Sequence, residues 1–396
     1  MPAAVPFNQI VYFGDSLTDT NEAFRLSELA LDVPFPSAPF GYDGQFSDGP
    51  VYSDIVPELL DIGVENFAVG GARALGVIPA AFLLDTGEPD IDDTLFDFFG
   101  REDLDPSVID ELANFDINLN GQIGRYLATL EGLPAEPGTA ASIFIGLNDF
   151  NAFTPSGADV NMDDVVDALD VIAEFQLLAG GVLDSTLTAA GTLLGTGAAE
   201  KVFINALPPG TFFPSIQFAD PLIQSIADSA VAEYNAALTF VAAETFGTAV
   251  EVIRFDAIAT EIQKDPSAFG FLDITGFNLF VTGAGAVSEV DGEPQINIFE
   301  NPAFADLDSD QYGFVDPIHF TSALHGVFGA FAAGQIADTL SILTGEADDQ
   351  TFGGANDLIL AGDENDTIRS RSGDDTVIAG LGDDTVRANA GDDIVV

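Results

Sequence analysis

Short apolar runs alternate with longer amphipathic stretches from the N-terminus to about residue 345. Runs of about four to eight residues that are rich in Val, Ile and Phe indicate buried strands. Five such runs lie at residues 9–16, 65–71, 141–149, 201–209 and 249–256. Strands that alternate with helical stretches predict an α/β fold, a three-layer α/β/α sandwich built on a mostly parallel five-stranded sheet.

Two intervening stretches, residues 163–184 and 220–247, have helical spacing of their apolar residues and lengths that suit helices. Residues 76–118 instead mix apolar clusters with acidic loops. We predict there an insertion near the C-terminal edge of the sheet, which acts as a lid or as a wall of the substrate site. A second irregular stretch, residues 277–313, is polar and contains glycine.

After Gly345 the pattern changes to a repeat rich in Asp, Gly, Asn and Thr. Aspartates recur every nine residues, at Asp357, Asp366, Asp375, Asp384 and Asp393. A β-branched residue follows each aspartate by two positions, at Ile359, Ile368, Val377, Val386 and Val395. Glycine permits tight turns, and aspartate oxygens with turn carbonyls make a hard oxygen site for Ca²⁺. The tail resembles the RTX family, whose nonapeptide repeats form calcium-binding parallel β-rolls.

The repeats divide the chain into an N-terminal α/β domain, residues 1–345, and a parallel β-roll, residues 346–396. If each repeat forms half a coil, the first, third and fifth aspartates stack on one side and the other two on the opposite side. The resemblance implies that all five aspartates bind structural calcium. The alternative is an acidic disordered tail. The two interpretations are compatible if the repeats are disordered without calcium and fold when calcium binds. Arg371 and Asn389 stand where glycine is usual.

Composition narrows the classes of protein further. The 396 residues are 47% hydrophobic with 34 Phe, which is enough for a large core. The net charge of −55 excludes nucleic acid as a partner, because no basic patch can neutralise phosphates. Such an excess repels itself unless salt screens it, so we predict a halophilic protein; the alternative is that the charge only solvates the surface. The absence of cysteine excludes disulfides and thiolate metal sites.

Membrane and export signals are also sparse. No run of eighteen apolar residues occurs, so we predict no transmembrane segment. The first residues, MPAAVPFNQI, lack a basic region followed by an apolar stretch, so we predict no N-terminal signal peptide.

Candidate chemistry begins where the first strand ends. Ser16 follows the run VYF, and the C-terminal ends of parallel strands are where open α/β sheets place their ligands. The chain has only two histidines, so a hydrolase that needs a base near neutral pH has few candidates. Asp316 precedes His319 by three residues, close enough to orient its imidazole. His325 lies on a predicted helix, where a structural hydrogen bond is the better interpretation.

Four motifs occur in one order: FGDSLTD with Ser16, NFAVGGA with Gly71, GLND with Asn148, and VDPIHF with Asp316 and His319. With the segment YDGQFSDGPVYSDIVPELL they resemble the GDSL lipase/esterase family, also called SGNH hydrolases, over roughly residues 7–343. The family implies a flavodoxin-like sheet. No Gly-x-Ser-x-Gly surrounds the serine, which argues against the larger α/β-hydrolase fold.

The resemblance implies a role for each motif residue. Ser16 is the nucleophile, His319 the base and Asp316 the group that orients it. The backbone N–H groups of Ser16 and Gly71 and the side-chain amide of Asn148 form the oxyanion hole. No metal is required for catalysis.

Other positions are interpreted as structural or as departures from the family. Asp15 and Asp149 brace their loops by hydrogen bonds to the backbone. Gln45 stands where the family usually has Arg, and Phe320 where it has Pro, so substrate preference does not carry over from relatives.

Together these features predict a secreted serine esterase or lipase that hydrolyses carboxylic esters through an acyl-enzyme. We expect a monomer that acts on an ester or lipid substrate, is exported by a type I secretion system and reaches the extracellular medium. Two alternatives stay open. The first is a phospholipase or lipid acyltransferase, and the second is a non-catalytic, calcium-dependent surface or adhesion protein.

Overall fold

A computed structural model describes most of the chain. The described residues are 5–32, 34–37, 42–80, 105–153, 156, 168–280, 287–290, 293–296, 299–301, 307–337, 339–342, 349–352, 357–361, 365–373, 375–379, 383–391 and 394–395. The predicted insertion at 76–118 lies partly outside them, at 81–104, and so do much of 277–313 and Asp393.

A parallel five-stranded sheet organises the N-terminal part, as predicted. Its strands are β1 (Gln9–Gly14), β2 (Gly63–Asn66), β3 (Thr139–Phe144), β4 (Lys201–Asn205) and β5 (Val250–Ile253). The spatial order is β2-β1-β3-β4-β5, and every neighbouring pair is parallel. All six residues of β3 are buried, which explains its continuous apolar character.

Helices cover both faces of the sheet. They are α1 (Glu22–Glu28), α2 (Tyr52–Leu60), α3 (Pro106–Asn114), α4 (Leu119–Thr129), α5 (Leu147–Asn151), α6 (Ala168–Gly195), α7 (Pro214–Gln217), α8 (Pro221–Phe246), α9 (Phe255–Lys264) and α10 (Ser322–Ile336). Short 3₁₀ turns lie at Gly210–Phe212, Gly247–Ala249, Pro266–Phe269 and Ser309–Gln311. One group of contacts joins α2, α9 and α10, and another joins α4, α6 and α8. The predicted three-layer α/β/α sandwich is confirmed.

One predicted strand is displaced. The sequence places the second strand at 65–71, whereas β2 ends at Asn66. Its first three residues are exposed because β2 lies at the edge of the sheet, so it carries no apolar run. The apolar residues that follow belong to a loop whose Ala68 and Val69 are buried.

Helix α6 is longer than predicted and contains a stretch that the criterion of eighteen consecutive apolar residues did not detect. By length and composition alone, Asp170–Gly195 could cross a membrane, and 33% of its most apolar window is buried. In the structure this helix packs against α4 and α8.

Short strands beyond α9 make two antiparallel pairs in the irregular region. They are β6 (Leu279–Phe280) with β9 (Phe299–Glu300), and β7 (Val287–Val290) with β8 (Glu293–Ile296).

The C-terminal repeats form two stacked parallel sheets. Their strands are β10 (Leu340–Ile342), β11 (Asp349–Thr351), β12 (Leu358–Leu360), β13 (Thr367–Arg369), β14 (Thr376–Ile378), β15 (Thr385–Arg387) and β16 (Ile394–Val395). One sheet has the order β10-β12-β14-β16 and the other β11-β13-β15. The predicted boundary between residues 345 and 346 therefore falls between two strands of the roll.

Each repeat is half a coil. Ile359 pairs with Val377 and Ile368 with Val386, so residues eighteen apart stack. The β-branched side chains of Ile359, Ile368 and Val377 are fully buried in the narrow core. The predicted arrangement of a parallel β-roll is confirmed in the described repeats.

Candidate active site

The candidate site lies where the order of the sheet reverses. β1 and β3 are neighbours at the centre of this reversal. The chain after β1 leads to β2 on one side, and the chain after β3 leads to β4 on the other side. Ser16 follows β1 by two residues and Asn148 follows β3 by four. The crevice at such a switch point is where open α/β sheets bind ligands.

Ser16, His319 and Asp316 form one hydrogen-bonded chain. His319 Nε2 lies 2.8 Å from Ser16 Oγ, and His319 Nδ1 lies 2.6 Å from Asp316 Oδ2. Because an ionised carboxylate only accepts hydrogen bonds, Nδ1 carries the proton, which leaves Nε2 to accept from the serine hydroxyl. The structure therefore brings together the three residues that the motifs singled out, from positions 303 residues apart.

The Asp316 carboxylate is held ionised. Burial alone would raise its pKa, but the charge of His319 and the hydrogen bonds from His319, Tyr42 and Ile318 hold the pKa well below its usual range. The backbone N–H groups of Ile318 and His319 donate to Oδ1, each at 2.8 Å. A fixed negative charge can then stabilise a protonated imidazole beside it.

Two aromatic residues that the sequence did not single out surround the His319 ring. The Tyr42 hydroxyl donates to Asp316 Oδ2 at 2.5 Å, and the Tyr42 ring is edge-on to the imidazole with 6.2 Å between centroids. The Phe46 ring stacks on the imidazole at 5.0 Å and 27°. Both belong to the segment YDGQFSDGP, and only that motif could have pointed to them.

Gln45, which replaces the usual Arg, supports this segment. Its amide nitrogen donates to Asp54 Oδ2 at 2.9 Å, and its amide oxygen accepts from the Val51 N–H at 3.1 Å. Gln45 thus ties this segment to the start of α2 by two hydrogen bonds.

The loop that carries Gly71 lies beside the end of β1. The Val69 N–H donates to Gly14 O at 3.1 Å, and Gly71 has a φ of 77°, which favours glycine. A Cβ on Gly70 would lie 2.2 Å from the Phe46 ring, so this loop packs directly on the aromatic residue that covers His319.

Asn148 ties the same loop to α5. One hydrogen of its side-chain amide is donated to Ala72 O at 3.0 Å. An amide nitrogen has two hydrogens, so a second donor is left for a ligand. The structure thus places Ser16, Gly71 and Asn148 on three segments that meet at the carboxyl ends of β1 and β3.

Two further aspartates brace the site, as predicted. Asp149 accepts from the N–H groups of Ala74 and Leu75 at 2.8 and 3.2 Å, and Asp15 accepts from the Leu17 N–H at 3.1 Å. Burial raises the pKa of Asp149 to about 6 and that of Asp15 to about 7.

His325 has a structural role, as predicted. It is fully buried on α10, and its Nδ1 accepts a hydrogen bond from the Tyr52 N–H at 3.3 Å. Burial lowers the pKa of His325 to about 3, so the ring stays neutral.

The described aspartates of the roll fit a bound cation. Asp375 Oδ1 accepts from the Asp357 N–H at 2.9 Å, and Asp384 Oδ1 accepts from the Asp366 N–H at 2.8 Å, so each pair stacks across one coil. Burial and the charge of Asp375 raise the pKa of Asp357, and a buried Asp357 Oδ2 has no hydrogen-bond partner. A cation would relieve this repulsion. Among the described residues no three acidic or histidine side chains converge, so turn carbonyls would have to supply further ligands.

Comparison with known proteins agrees with this geometry. Residues 10–330 match the family model of the GDSL-like lipase/acylhydrolases, and residues 351–386 and 369–396 match the RTX calcium-binding nonapeptide repeat. A phosphatidylcholine-sterol acyltransferase of Aeromonas hydrophila is 24% identical over 269 residues, which cover 67% of this chain and 64% of that protein.

Among solved structures, a lipolytic protein of the G-D-S-L family from Veillonella parvula is 15% identical with a TM-score of 0.34, over 67% of this chain and 86% of that one. Phospholipase A1 from Streptomyces albidoflavus is 11% identical with a TM-score of 0.38, over 83% and 98%. The family match spans most of the sequence, so the chain belongs to the GDSL-like lipase/acylhydrolase family and carries RTX calcium-binding repeats at its C-terminus.

Proposed function

We propose that this protein is a serine hydrolase that cleaves carboxylic esters through an acyl-enzyme. The observation that carries the proposal is the continuous hydrogen-bonded chain from Ser16 through His319 to Asp316. A serine hydroxyl is a weak nucleophile until an adjacent base takes its proton, and this chain supplies the base and the group that orients it.

The reaction proceeds in two halves. Ser16 Oγ attacks the ester carbonyl carbon while His319 Nε2 takes its proton, and the carbonyl electron pair moves onto oxygen. The tetrahedral intermediate collapses, the bond to the alcohol breaks, and His319 returns the proton to the leaving alkoxide. Water then attacks the acyl-Ser16 ester with His319 again as base, and release of the acid regenerates Ser16.

The developing oxyanion is stabilised by three donors: the N–H groups of Ser16 and Gly71 and the second amide hydrogen of Asn148. The positive φ of Gly71 and the anchoring of Asn148 on Ala72 O support this assignment, because both fix the donors before substrate binds. Donors placed in advance cost no reorganisation in the transition state.

The C-terminal roll is a calcium-dependent structural module in this proposal, held by Asp357 and Asp375 on one side and Asp366 and Asp384 on the other. Bound calcium would supply positive charge between stacked carboxylates and so stabilise the folded coil. The repeats match a calcium-binding family, and this supports export by a type I system to the extracellular medium, where calcium folds them. The net charge of −55 supports a saline habitat, since salt screens such an excess.

The decisive experiment is hydrolysis of p-nitrophenyl esters, from acetyl to long acyl groups, by the wild type and Ser16→Ala in calcium and salt. The proposal requires turnover by the wild type and its loss in the variant. Turnover that survives in Ser16→Ala would overturn the serine mechanism. A wild type that is inert on every ester and phospholipid, yet binds calcium and cell surfaces, would favour the adhesion alternative.

A second candidate is transfer of the acyl group to an alcohol in place of water. The relative from Aeromonas hydrophila, named for transfer between phosphatidylcholine and a sterol, supports it, although this chain spans only 64% of that protein. Incubation with phosphatidylcholine and cholesterol separates the two, because transfer yields a sterol ester and hydrolysis yields free fatty acid.

A further inference from the structure

An apolar cavity of about 310 Å³ lies between α5, α6 and the segment from β4 to α8. Its lining is almost entirely aliphatic and aromatic and is made by Leu147, Phe150, Asn151, Phe153, Val171, Phe175, Pro208, Gly210, Phe213, Ile216, Ile223, Ile226, Ala227 and Val231. Ring contacts hold one wall in place: Phe175 stacks on Phe150 at 5.2 Å and meets Phe153 edge-on at 4.9 Å. Packed aromatic rings thus form this wall of the cavity, and apolar concave sites of this kind bind ligands.

Two residues of the cavity lining adjoin segments of the candidate active site. Leu147 lines the cavity and immediately precedes Asn148. Phe213 also lines it and stacks on Phe320, which follows His319 in sequence, with centroids 5.8 Å apart. The Ser215 N–H donates to Pro317 O at 3.0 Å, which fixes this wall to the loop between Asp316 and His319.

Three large apolar side chains, here called the rim, are exposed in the segment that carries the cavity residue Ile223. Phe218 is 73% exposed, Leu222 55% and Ile223 52%, and Ile223 also lines the cavity. Phe218 lies at the end of α7, and the other two lie in the first turn of α8. A cluster of this kind, continuous with an apolar cavity, indicates an interaction surface.

The negative charge near this rim restricts the kind of surface that it can contact. Residues 214–246 contain no Lys or Arg, whereas Asp220 caps α8 within the cluster and the whole chain carries −55. An anionic membrane surface would be repelled, because attraction to such lipids depends on basic residues. A zwitterionic lipid surface imposes no such penalty and offers acyl chains to both the rim and the cavity.

We propose that Phe218, Leu222 and Ile223 form a docking surface for zwitterionic lipid, and that the adjoining cavity receives the acyl chain of the ester cleaved at Ser16. The inference rests on the proposed function and narrows its substrate to aggregated lipid with more than a short acyl group. Insertion of the rim places one lipid with its acyl chain toward the cavity and its ester toward the catalytic serine.

Docking is tested separately from catalysis, in a Ser16→Ala background with calcium present. Co-sedimentation with phosphatidylcholine vesicles is compared for this parent and for the same chain with Phe218→Ser and Leu222→Ser. We expect at least a tenfold weaker association in the rim variant, with an unchanged melting temperature. The parent should bind phosphatidylglycerol vesicles more weakly than phosphatidylcholine vesicles.

Phe240→Ser is the matched control. Phe240 is 68% exposed and lies on the same helix, about 27 Å from Leu222 at 1.5 Å per residue. Its variant should bind vesicles as the parent does. Equal losses in the rim and control variants, or no loss in either, would overturn the docking surface. Rim substitutions that only dissociate a dimer in light scattering would show that a second copy covers this face instead.

The cavity is tested in the active enzyme by Ala227→Phe, which adds a ring at its lining. We expect kcat/KM on p-nitrophenyl decanoate to fall at least tenfold relative to the butyrate. An unchanged ratio would place the acyl chain elsewhere. A wild type without any ester hydrolysis would instead refute the proposed function, so the two failures are distinguishable.

Discussion

The Tyr42 hydroxyl and His319 Nδ1 share one acceptor, the Oδ2 atom of Asp316. Tyr42 is a buried residue whose pKa is raised by burial and by the Asp316 charge, so its hydroxyl remains a donor. We expect Tyr42→Phe to lower kcat about tenfold with little change in KM, because loss of one hydrogen bond to a buried charge costs about 1.5 to 3 kcal/mol and loosens the group that orients His319.

Tyr126→Phe is the control for this prediction. The Tyr126 hydroxyl is also a donor from a buried residue, to Ala198 O at 2.9 Å, but it makes no contact with the triad. Its removal should lower the melting temperature and leave kcat unchanged. Comparable kcat values for Tyr42→Phe and the wild type would contradict a positioning role for Tyr42.

Asn148→Ala should lower kcat by about 10² to 10³, the usual effect of losing one oxyanion donor. The loss should fall on kcat rather than KM, since the second amide hydrogen is used when charge develops on the substrate. Steady-state kinetics on a short p-nitrophenyl ester measure both. The hydrogen bond to Ala72 O is lost as well, so a melting curve must show that the variant is still folded.

Ser16 could be predicted from the sequence alone, whereas Tyr42 could not. Ser16, Asn148 and His319 lie in short motifs, each anchored to the end of a strand or the start of a helix, so local pattern located them. Tyr42 contacts Asp316 from 274 positions away, and no periodicity relates two loops so distant. Phe46 could not be predicted for the same reason. The role of an aromatic residue in a loop depends on the residue that it contacts, here His319, and the sequence does not give that contact.

The sheet and the roll differ in the same way. β3 and β4 are central and buried, so their apolar runs revealed them, whereas the exposed edge strand β2 was displaced in the prediction. The roll could be predicted because its sequence repeats every nine residues. Two repeats make one coil, so residues eighteen apart stack on each other. The apolar cavity arises from residues scattered between Leu147 and Val231, so only the folded chain reveals it.

Asp15→Asn should change how stability depends on pH. Burial raises the pKa of Asp15 from 3.8 to about 7, so the protonated carboxyl favours folding below about pH 4 and this contribution is lost as pH rises through 7. The variant carries no such group. Its free energy of unfolding should therefore rise relative to the wild type between pH 4 and 8, by up to about 4 kcal/mol at 1.36 kcal/mol per pH unit.

Asp105→Asn should change the pH dependence of the free energy of unfolding in the opposite direction. Hydrogen bonds from Ser107 lower the pKa of this exposed carboxyl at the start of α3, so its ionised form favours folding and the contribution is lost as pH falls. Denaturant titrations at pH 4, 6 and 8 compare the two variants. A difference between Asp15→Asn and the wild type that does not vary with pH would refute a protonated Asp15 in the folded protein.

Calcium removal should unfold the C-terminal repeats while the α/β domain keeps its fold. Stacked carboxylates such as Asp357 and Asp375 repel each other, and burial has already raised the pKa of Asp357. Chelation should lower β content in circular dichroism and remove a low-temperature melting transition, and added calcium should restore both. Asp357→Asn combined with Asp375→Asn should weaken the calcium response, and the same response in this variant would contradict their role as ligands.

Arg371→Gly should stabilise the roll. Arg371 has a φ of 76°, at the repeat position where glycine is usual, and Asn389 has a φ of 73° eighteen residues later. A residue with a Cβ pays roughly 1 kcal/mol or more in this left-handed conformation, and asparagine tolerates it better than arginine. Arg371→Gly should therefore raise the melting temperature of the calcium-loaded repeats by a few degrees. Arg387→Gly, in strand β15, should lower it, because glycine weakens a strand. A gain from both substitutions would attribute the effect to lost positive charge rather than to relief of backbone strain.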